Sequence, residues 1–99
     1  MAYLKGFHDQ IDLFVDHLIV DRGLADNTVA AYTRDLEQYA HHLSARGCQS
    51  FTDATREHAR EFLEALTRKL RLKRTSVDRK LTALRRLHKF LVVEGLTAQ

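Results

Sequence analysis

Residues 74–91 have the sequence RTSVDRKLTALRRLHKFL, with no proline or glycine. Five side chains in this stretch recur at the three- and four-residue spacing of one helix face: Val77, Leu81, Leu84, His88 and Leu91. We therefore predict a helix over about Ser76–Glu94 whose core stripe they form. Thr75 is the expected N-cap, Asp78 stands at the capping-box position and Gly95 is expected to end the helix.

The opposite face of this predicted helix combines small and basic side chains: Thr75, Arg79, Thr82, Ala83 and Arg86, flanked by Lys80, Arg85 and Lys89. A helix that enters the major groove of DNA needs this combination, because small residues let the backbone approach and arginine reaches bases or phosphates. Phe90 and Val93 also fall on the outer side, near the C-terminal end, so we expect the last turns to be packed on both sides and only the N-terminal half to meet solvent or DNA.

Positive charge is concentrated around this helix. Residues 68–89 carry ten basic side chains and one acid, whereas the whole chain has a net charge of only +3. A solvated helix face normally mixes both signs, as residues 56–70 do, whereas this segment does not. Charge gathered on one element attracts a polyanion, and the polyanion that this pattern favours is nucleic acid.

Three further helices are predicted upstream by their apolar periodicity. Helix 1 is expected over about His8–Asp21, helix 2 over about Thr28–Ala45 and helix 3 over about Arg56–Leu70. The core stripe of helix 1 consists of Ile11, Phe14, Val15 and Leu18. That of helix 2 consists of Tyr32, Leu36, Tyr39 and Leu43. That of helix 3 consists of Ala59, Phe62, Leu63, Leu66 and Leu70.

The ends of these helices carry their own signals. Asp26 or Asn27 is the expected N-cap of helix 2, and Thr55 that of helix 3. Gly23 punctuates the end of helix 1, and Gly47 stands where helix 2 needs a left-handed residue. The longest loop is expected from Cys48 to Ala54, with Phe51 turned inward. The outer face of helix 2 carries Ala30, Ala31, Arg34, Gln38 and His41.

Composition bounds the fold class. Ninety-nine residues without proline and with four glycines predict one all-α domain over residues 1–99. A single cysteine, Cys48, cannot form an internal disulfide, and no apolar run reaches the ~20 residues of a membrane span. We therefore expect a soluble, cytoplasmic protein without a membrane partner.

No catalytic motif is present in the chain. It lacks a glycine-rich phosphate loop, a zinc-protease helix and a nucleophile elbow. The adjacent His41 and His42 point in different directions, and His88 is interpreted as a core histidine. Tyr32 and Tyr39 are interpreted as packing residues. We predict no catalytic residue, cofactor or metal in this chain.

The sequence resembles the N-terminal core-binding domain of tyrosine site-specific recombinases, which include phage integrases, Xer-type resolution enzymes and transposon integrases. Residues 24–36 (LADNTVAAYTRDL) are similar to the family's signature at the start of its second helix. Residues 55–66 resemble its third helix, and residues 74–91 with Glu94-Gly95 resemble its last. With the helix 1 pattern, the likeness covers about residues 8–96.

The resemblance implies a SAM-like fold of four helices in two crossed antiparallel pairs. It also implies double-stranded DNA as a partner, which this domain clamps at a recombination site together with a C-terminal catalytic domain. That second domain would carry the nucleophilic tyrosine, so Tyr3, Tyr32 and Tyr39 are not expected to act as one. Other protomers of a recombinase tetramer are implied as further partners.

By position, the family's DNA-contacting helices correspond to helices 2 and 4 here. The resemblance implies contacts at Thr28, Ala30, Ala31, Arg34, Lys73, Arg74, Thr75, Ser76, Arg79, Lys80 and Arg86. Arg79 is expected to reach a base, whereas Lys73, Arg74, Lys80 and Arg86 are expected on phosphates.

Two alternatives stay open. Small helical SAM-type domains also bind proteins, and an outward Phe90 and Val93 would suit such a role without direct DNA binding. The second alternative is a free-standing helix-turn-helix regulator, because the connection between helices 3 and 4, Arg71–Arg74, has about the right length for that motif.

Overall fold

The computed structural model describes the backbone of residues 2–96 and the side chains of residues 6–96. It contains four helices: α1 (Ala2–Val20), α2 (Asp26–Ala45), α3 (Arg56–Arg68) and α4 (Arg74–Val93). A short 3-10 helix, Phe51–Asp53, precedes α3, and no strand occurs in these residues. The all-α, four-helix prediction is confirmed.

One cluster of buried side chains joins the four helices. α1 packs on α2, and α4 packs on both α2 and α3. The predicted stripes of α1 and α2 are confirmed. Val15 is partly buried against the core, and the other members are buried: Ile11, Phe14, Leu18, Tyr32, Leu36, Tyr39 and Leu43.

Phe51 closes the core beneath the loop, as predicted. Its ring meets the edge of Phe7 with centroids 4.9 Å apart and stacks on Tyr39 at 5.9 Å. Its backbone N–H donates to Gln10 Oε1 at 2.7 Å, so α1 fixes the loop through a hydrogen bond as well as apolar contact.

The α3 helix begins where the sequence predicted and ends earlier. Thr55 caps it, accepting a hydrogen bond from the His58 N–H. The prediction that Leu70 faces the core is wrong, because Leu70 lies beyond the last helical residue and its side chain is 56% exposed. Arg71 takes a left-handed φ of 50°, and the N–H of the half-buried Leu72 then bonds to the Leu66 carbonyl at 3.2 Å.

The other helices begin before their predicted starts. Helix α1 begins at Ala2, α2 at Asp26 and α4 at Arg74. The predicted caps of α2 and α4 are wrong, because Ala25 and Lys73 occupy the N-cap positions without a side-chain hydrogen bond. The core accounts for this: Leu24 and Leu72 pack inward just before each helix, so the chain turns helical at once.

Glycine ends α2 and α4 as predicted. Gly47 has φ 87° and Gly95 has φ 73°, the left-handed region that a residue with a Cβ rarely adopts. The next N–H closes each helix, from Cys48 to the Leu43 carbonyl at 3.0 Å and from Leu96 to the Leu91 carbonyl at 2.8 Å.

The buried face of α4 differs from the predicted one. Ala83, Leu87 and Phe90 are buried, whereas the sequence placed Ala83 and Phe90 on the outer side. His88, predicted as a core residue, is exposed. Since α4 packs on α2 and α3 together, its buried face is wide and turned toward Lys80 and Leu87. Val93 is 70% exposed, so the expectation that the last turns are packed on both sides is wrong at this position.

None of the helices in the described part of the chain is both long and apolar enough to cross a membrane.

Candidate nucleic-acid interface

Three side-chain contacts join the N-terminal half of α2 to α4. The guanidinium carbon of Arg86 lies 5.7 Å from the centre of the Tyr32 ring, and Asp35 binds Arg79 and Lys80. Residue numbers rise along α2 while their partners fall along α4, so the two helices run antiparallel here. We call this line of contact the α2–α4 seam, formed by Tyr32, Asp35, Arg79, Lys80 and Arg86.

Asp35 is the centre of the seam. Its side chain is 1% exposed, and both carboxylate oxygens accept hydrogen bonds. Oδ2 accepts from Arg79 Nε at 2.9 Å, and Oδ1 accepts from Arg79 Nη2 at 3.0 Å and Lys80 Nζ at 2.7 Å. Burial by itself would raise the pKa of Asp35, but the hydrogen bonds and positive charges of Arg79 and Lys80 outweigh it and lower that pKa.

The same geometry separates Arg79 from Lys80. The Lys80 side chain is only 10% exposed, so the predicted position of its ammonium on the flank of the helix is wrong. The Arg79 side chain is 44% exposed, and its hydrogen bonds to Asp35 raise the pKa of its guanidinium. The guanidinium of Arg79 therefore remains partly exposed to solvent, whereas the ammonium of Lys80 is buried and neutralises Asp35.

The remaining sequence-predicted site residues lie on α2, at the N-cap of α4 and in its first turn. Six of them are exposed: Thr28, Ala30, Arg34, Lys73, Arg74 and Thr75. The other two, Ala31 and Ser76, are partly buried. Arg86 is exposed as well, over Tyr32. The structure joins α2 and α4 through the seam itself, and of the predicted site residues Lys80 is the one whose charged group is buried in it.

The N-terminus of α4 is open and positively charged. Its first turn contains no acid, and the N-cap Lys73 makes no side-chain hydrogen bond to the helix. The Arg74 side chain is 92% exposed, and its one ion pair among the described residues is a long contact from Nε to Asp78 Oδ2 at 3.9 Å. Unpaired N–H groups at a helix N-terminus and neighbouring cations together favour a bound anion.

The surface of α3 shows the contrast. Arg60 pairs with both Glu57 and Glu64, and Arg68 lies 3.5 Å from Glu64. This alternation of signs leaves little net field. The unbalanced positive charge of the described residues therefore lies mainly on α4 and the connection before it.

No described group suggests catalysis or a metal site. Burial raises the pKa of the Cys48 thiol, which lies 3.8 Å from His58 Nδ1, so it is not an activated thiolate. Burial raises the pKa of Tyr39 to about 12, in keeping with packing. The described residues contain no cluster of three metal-ligating side chains. Tyr3 lies outside the described side chains.

Sequence reasoning missed Asp35 and the contact of Tyr32 with Arg86. A usable signal for the first exists, since Asp35 lies three residues after Tyr32 and four before Tyr39, on the apolar side of α2. An acid on a buried stripe demands a cationic partner from another element. The sequence does not say which cation supplies it.

The family model described as "Phage integrase, N-terminal SAM-like domain" matches residues 11–95. The chain is 39% identical to the tyrosine recombinase XerD of Mycobacterium tuberculosis, over 94% of this chain and 32% of the relative. It is 40% identical to XerD of Mycobacterium leprae, over 88% of this chain and 29% of the relative.

A recombinase of the XerC type is also similar. The chain is 34% identical to the tyrosine recombinase XerC of Roseiflexus sp., over 89% of this chain and 28% of the relative. The chain thus spans about a third of the length of the curated relatives it matches. No solved structure matches it.

Proposed function

The chain belongs to the family of phage integrase N-terminal SAM-like domains, and we propose that it is the DNA-binding module of a tyrosine recombinase. In this role it holds one face of a recombination site in duplex DNA, with α2 and α4 at adjacent stretches of major groove. The observation that carries the proposal is the exposed positive charge of α4 beside the small, polar outer face of α2.

The exposed cations divide into two roles. Arg79 has two N–H groups on Nη1 that no described residue accepts, and its fixed position at the seam suits hydrogen bonding to a guanine edge. Lys73 and Arg74 flank the open N-terminus of α4, and with Arg86 they suit phosphates. These contacts hold the helix in register while Arg79 reads sequence.

The smaller residues let the backbone approach. The short side chains of Ala30 and Ala31 allow the backbone of α2 to come close to DNA. Thr28 and Arg34 supply hydrogen-bond donors on either side of them. Thr75 and Ser76 do the same in the first turn of α4. Lys80 is not among the proposed direct contacts, because Asp35 already holds its ammonium inside the fold.

The strand breakage and rejoining of the whole recombinase are proposed to lie in a C-terminal catalytic domain. The chain covers about a third of its recombinase relatives, so these residues account for one part of such a protein. In the proposed arrangement this module and the catalytic domain clamp opposite faces of the same duplex. Other protomers would bind the remaining arms of the site.

A titration of the amide resonances of this chain with a short DNA duplex tests the proposal. The spectra are compared at low salt and at about 200 mM, where phosphate contacts weaken steeply. We expect salt-sensitive shifts over residues 28–38 and 73–86. Shifts confined to α3, or none at low salt, would contradict DNA binding by this chain.

A protein-interaction role is the second candidate, because a cavity of about 240 Å³ opens between the C-terminal ends of α1 and α4. Phe14, Leu18 and Phe90 line it, and the exposed Val93 stands at its border. Sedimentation of the chain without DNA separates the candidates. Self-association together with a silent DNA titration would favour this role.

A further inference from the structure

Asp35 is a buried acid that lies directly beneath the proposed contact surface. Its carboxylate holds Arg79 through two hydrogen bonds, to Nε and Nη2, in a side-by-side arrangement. A two-point contact of this kind fixes the plane of the guanidinium as well as its position. Arg79 is thereby oriented by a residue of α2 rather than by its own helix.

The orientation leaves one edge of Arg79 available. Nε and Nη2 face Asp35, whereas Nη1 donates to no described residue and the side chain is 44% exposed. A flexible arginine loses rotamer freedom when it binds a base. An arginine held in place beforehand has already lost that freedom, so its contact with a base is stronger and more selective.

Lys80 makes this arrangement compatible with DNA. An unneutralised carboxylate under the surface would repel phosphates and weaken binding. With Arg79 and Lys80 both bound to it, the group of three carries a net positive charge. Lys80 thus offsets the carboxylate from below, which leaves the charge of Arg79 to act outward.

We propose that Asp35 is a positioning residue for sequence recognition, which holds the Arg79 guanidinium in the orientation that reads a base in the major groove. The inference rests on the proposed DNA-binding function and deepens it by assigning specificity to a buried residue that touches no DNA. Tyr32, one turn before Asp35 on α2, lies beneath the guanidinium of Arg86, whose Cζ is 5.7 Å from the ring centre.

The test separates specificity from overall affinity. A duplex is first selected from a random-sequence pool by the wild-type chain, and a scrambled duplex of equal composition serves as reference. The measured quantity is the ratio of the two dissociation constants at one salt concentration. A residue with a merely structural role lowers both affinities together and leaves this ratio unchanged.

The decisive variant is Asp35→Asn combined with Lys80→Met. It removes one charge of each sign, so the net charge equals that of the wild type and no buried ammonium is left without a partner. Lys80→Met alone is the comparison variant: the loss of one cation beneath the surface should weaken binding to both duplexes, but the Asp35–Arg79 pair on which the ratio depends is kept. We expect the double variant to lose at least about fivefold in the specificity ratio, the low end of one arginine–base contact, while the comparison variant keeps the wild-type ratio.

A wild-type measurement covers the case in which the double variant does not fold. The side-chain N–H resonances of Arg79 are followed as the selected duplex is added. Nε–H should stay protected at Asp35 while Nη1 shifts with the selected duplex and not with the scrambled one. Loss of Nε–H protection on binding, or an unchanged ratio in the double variant, would overturn the inference.

Failure of the proposed function gives a different result. If the wild-type chain binds no duplex at low salt, the DNA-binding proposal itself is overturned. If it binds DNA but selects no sequence from the pool, only the positioning role of Asp35 is overturned.

Discussion

Thr55 and His58 show, at the scale of single residues, how side chains define the start of a helix. Thr55 Oγ1 accepts the His58 N–H at 3.2 Å, and His58 Nδ1 accepts the Thr55 N–H at 3.0 Å. This is a capping box in which histidine stands where glutamate or glutamine is usual. Its two reciprocal bonds satisfy N–H groups that would otherwise lack partners.

We expect Thr55→Ala to lower the free energy of unfolding by about 1 kcal/mol, because it removes the side-chain cap of α3. Urea denaturation followed by circular dichroism measures the loss. Thr67→Ala is the control, since Thr67 is exposed within the same helix and bonds only to the Leu63 carbonyl. Equal losses in the two variants would contradict the capping role.

The pairing of Asp35 with Arg79 and Lys80 predicts that the fold loses stability in acid. Because burial is outweighed by the bonds and charges of Arg79 and Lys80, the pKa of Asp35 is lower in the folded than in the unfolded chain. Its stabilising contribution is therefore complete above the unfolded value, about 3.9, and is lost as the pH falls through the lower folded value.

Urea titrations from neutral pH down to pH 3 measure this response. Below about pH 4, the free energy of unfolding should fall more steeply in the wild type than in the variant that combines Asp35→Asn with Lys80→Met. Identical slopes in that range would show that Asp35 does not contribute to the acid sensitivity of the fold.

At the scale of elements, α4 is the helix whose orientation has most consequence. One face packs on α2 and α3, and the other carries the exposed cations. A rotation of its buried face by one residue's angle exchanges Leu87 for His88, and with it which arginines reach solvent. The burial of Leu87, Phe90 and Ala83 is therefore what presents Arg79 and Arg86 on the seam.

Neighbouring residues of α4 give a test of this orientation. Leu87 is 2% exposed, so Leu87→Ala should lower the free energy of unfolding by about 2–5 kcal/mol through lost burial and a cavity. His88 is exposed, so His88→Ala should change it by no more than about 0.5 kcal/mol. Thermal or urea unfolding of the two variants decides, and a larger loss for His88→Ala would reverse the assigned face.

At the scale of the whole molecule, the separation of charge is the property that bears on DNA. The chain has a net charge of +3, but α1 carries several acids and α3 pairs its cations with glutamates. The field that DNA would meet is set by the exposed cations of the proposed surface: Arg34, Lys73, Arg74, Arg79 and Arg86.

With Arg79 assigned to a base, about four cations remain for phosphates. The logarithm of the binding constant should then fall against the logarithm of salt concentration with a slope of about −3 to −4. Fluorescence anisotropy with a labelled duplex measures it. Lys73→Ala should reduce the steepness by about 1, while Arg60→Ala should leave it unchanged because glutamates already pair with Arg60. A slope near zero would exclude phosphate contacts as the source of affinity.

Much of the fold follows from local patterns. The stripes of α1 and α2, the cap at Thr55 and the left-handed glycines 47 and 95 were predictable. Each depends on helical periodicity or on the conformation available to one residue, and both act over a few positions along the chain. The concentration of positive charge around α4 is likewise a property of the sequence alone.

The tertiary structure decided the rest, because it depends on residues far apart along the chain. Asp35 meets Arg79 and Lys80 across 44 and 45 positions, and only the packing of α2 against α4 selects Lys80 for the interior. Phe90 is turned inward against Phe14 and His17 of α1, His88 is exposed, and α2 and α4 begin earlier than their expected caps indicated. Periodicity limits which residues share a helix face, but the neighbouring helices determine how much of that face is buried, and hence which cations remain for a partner.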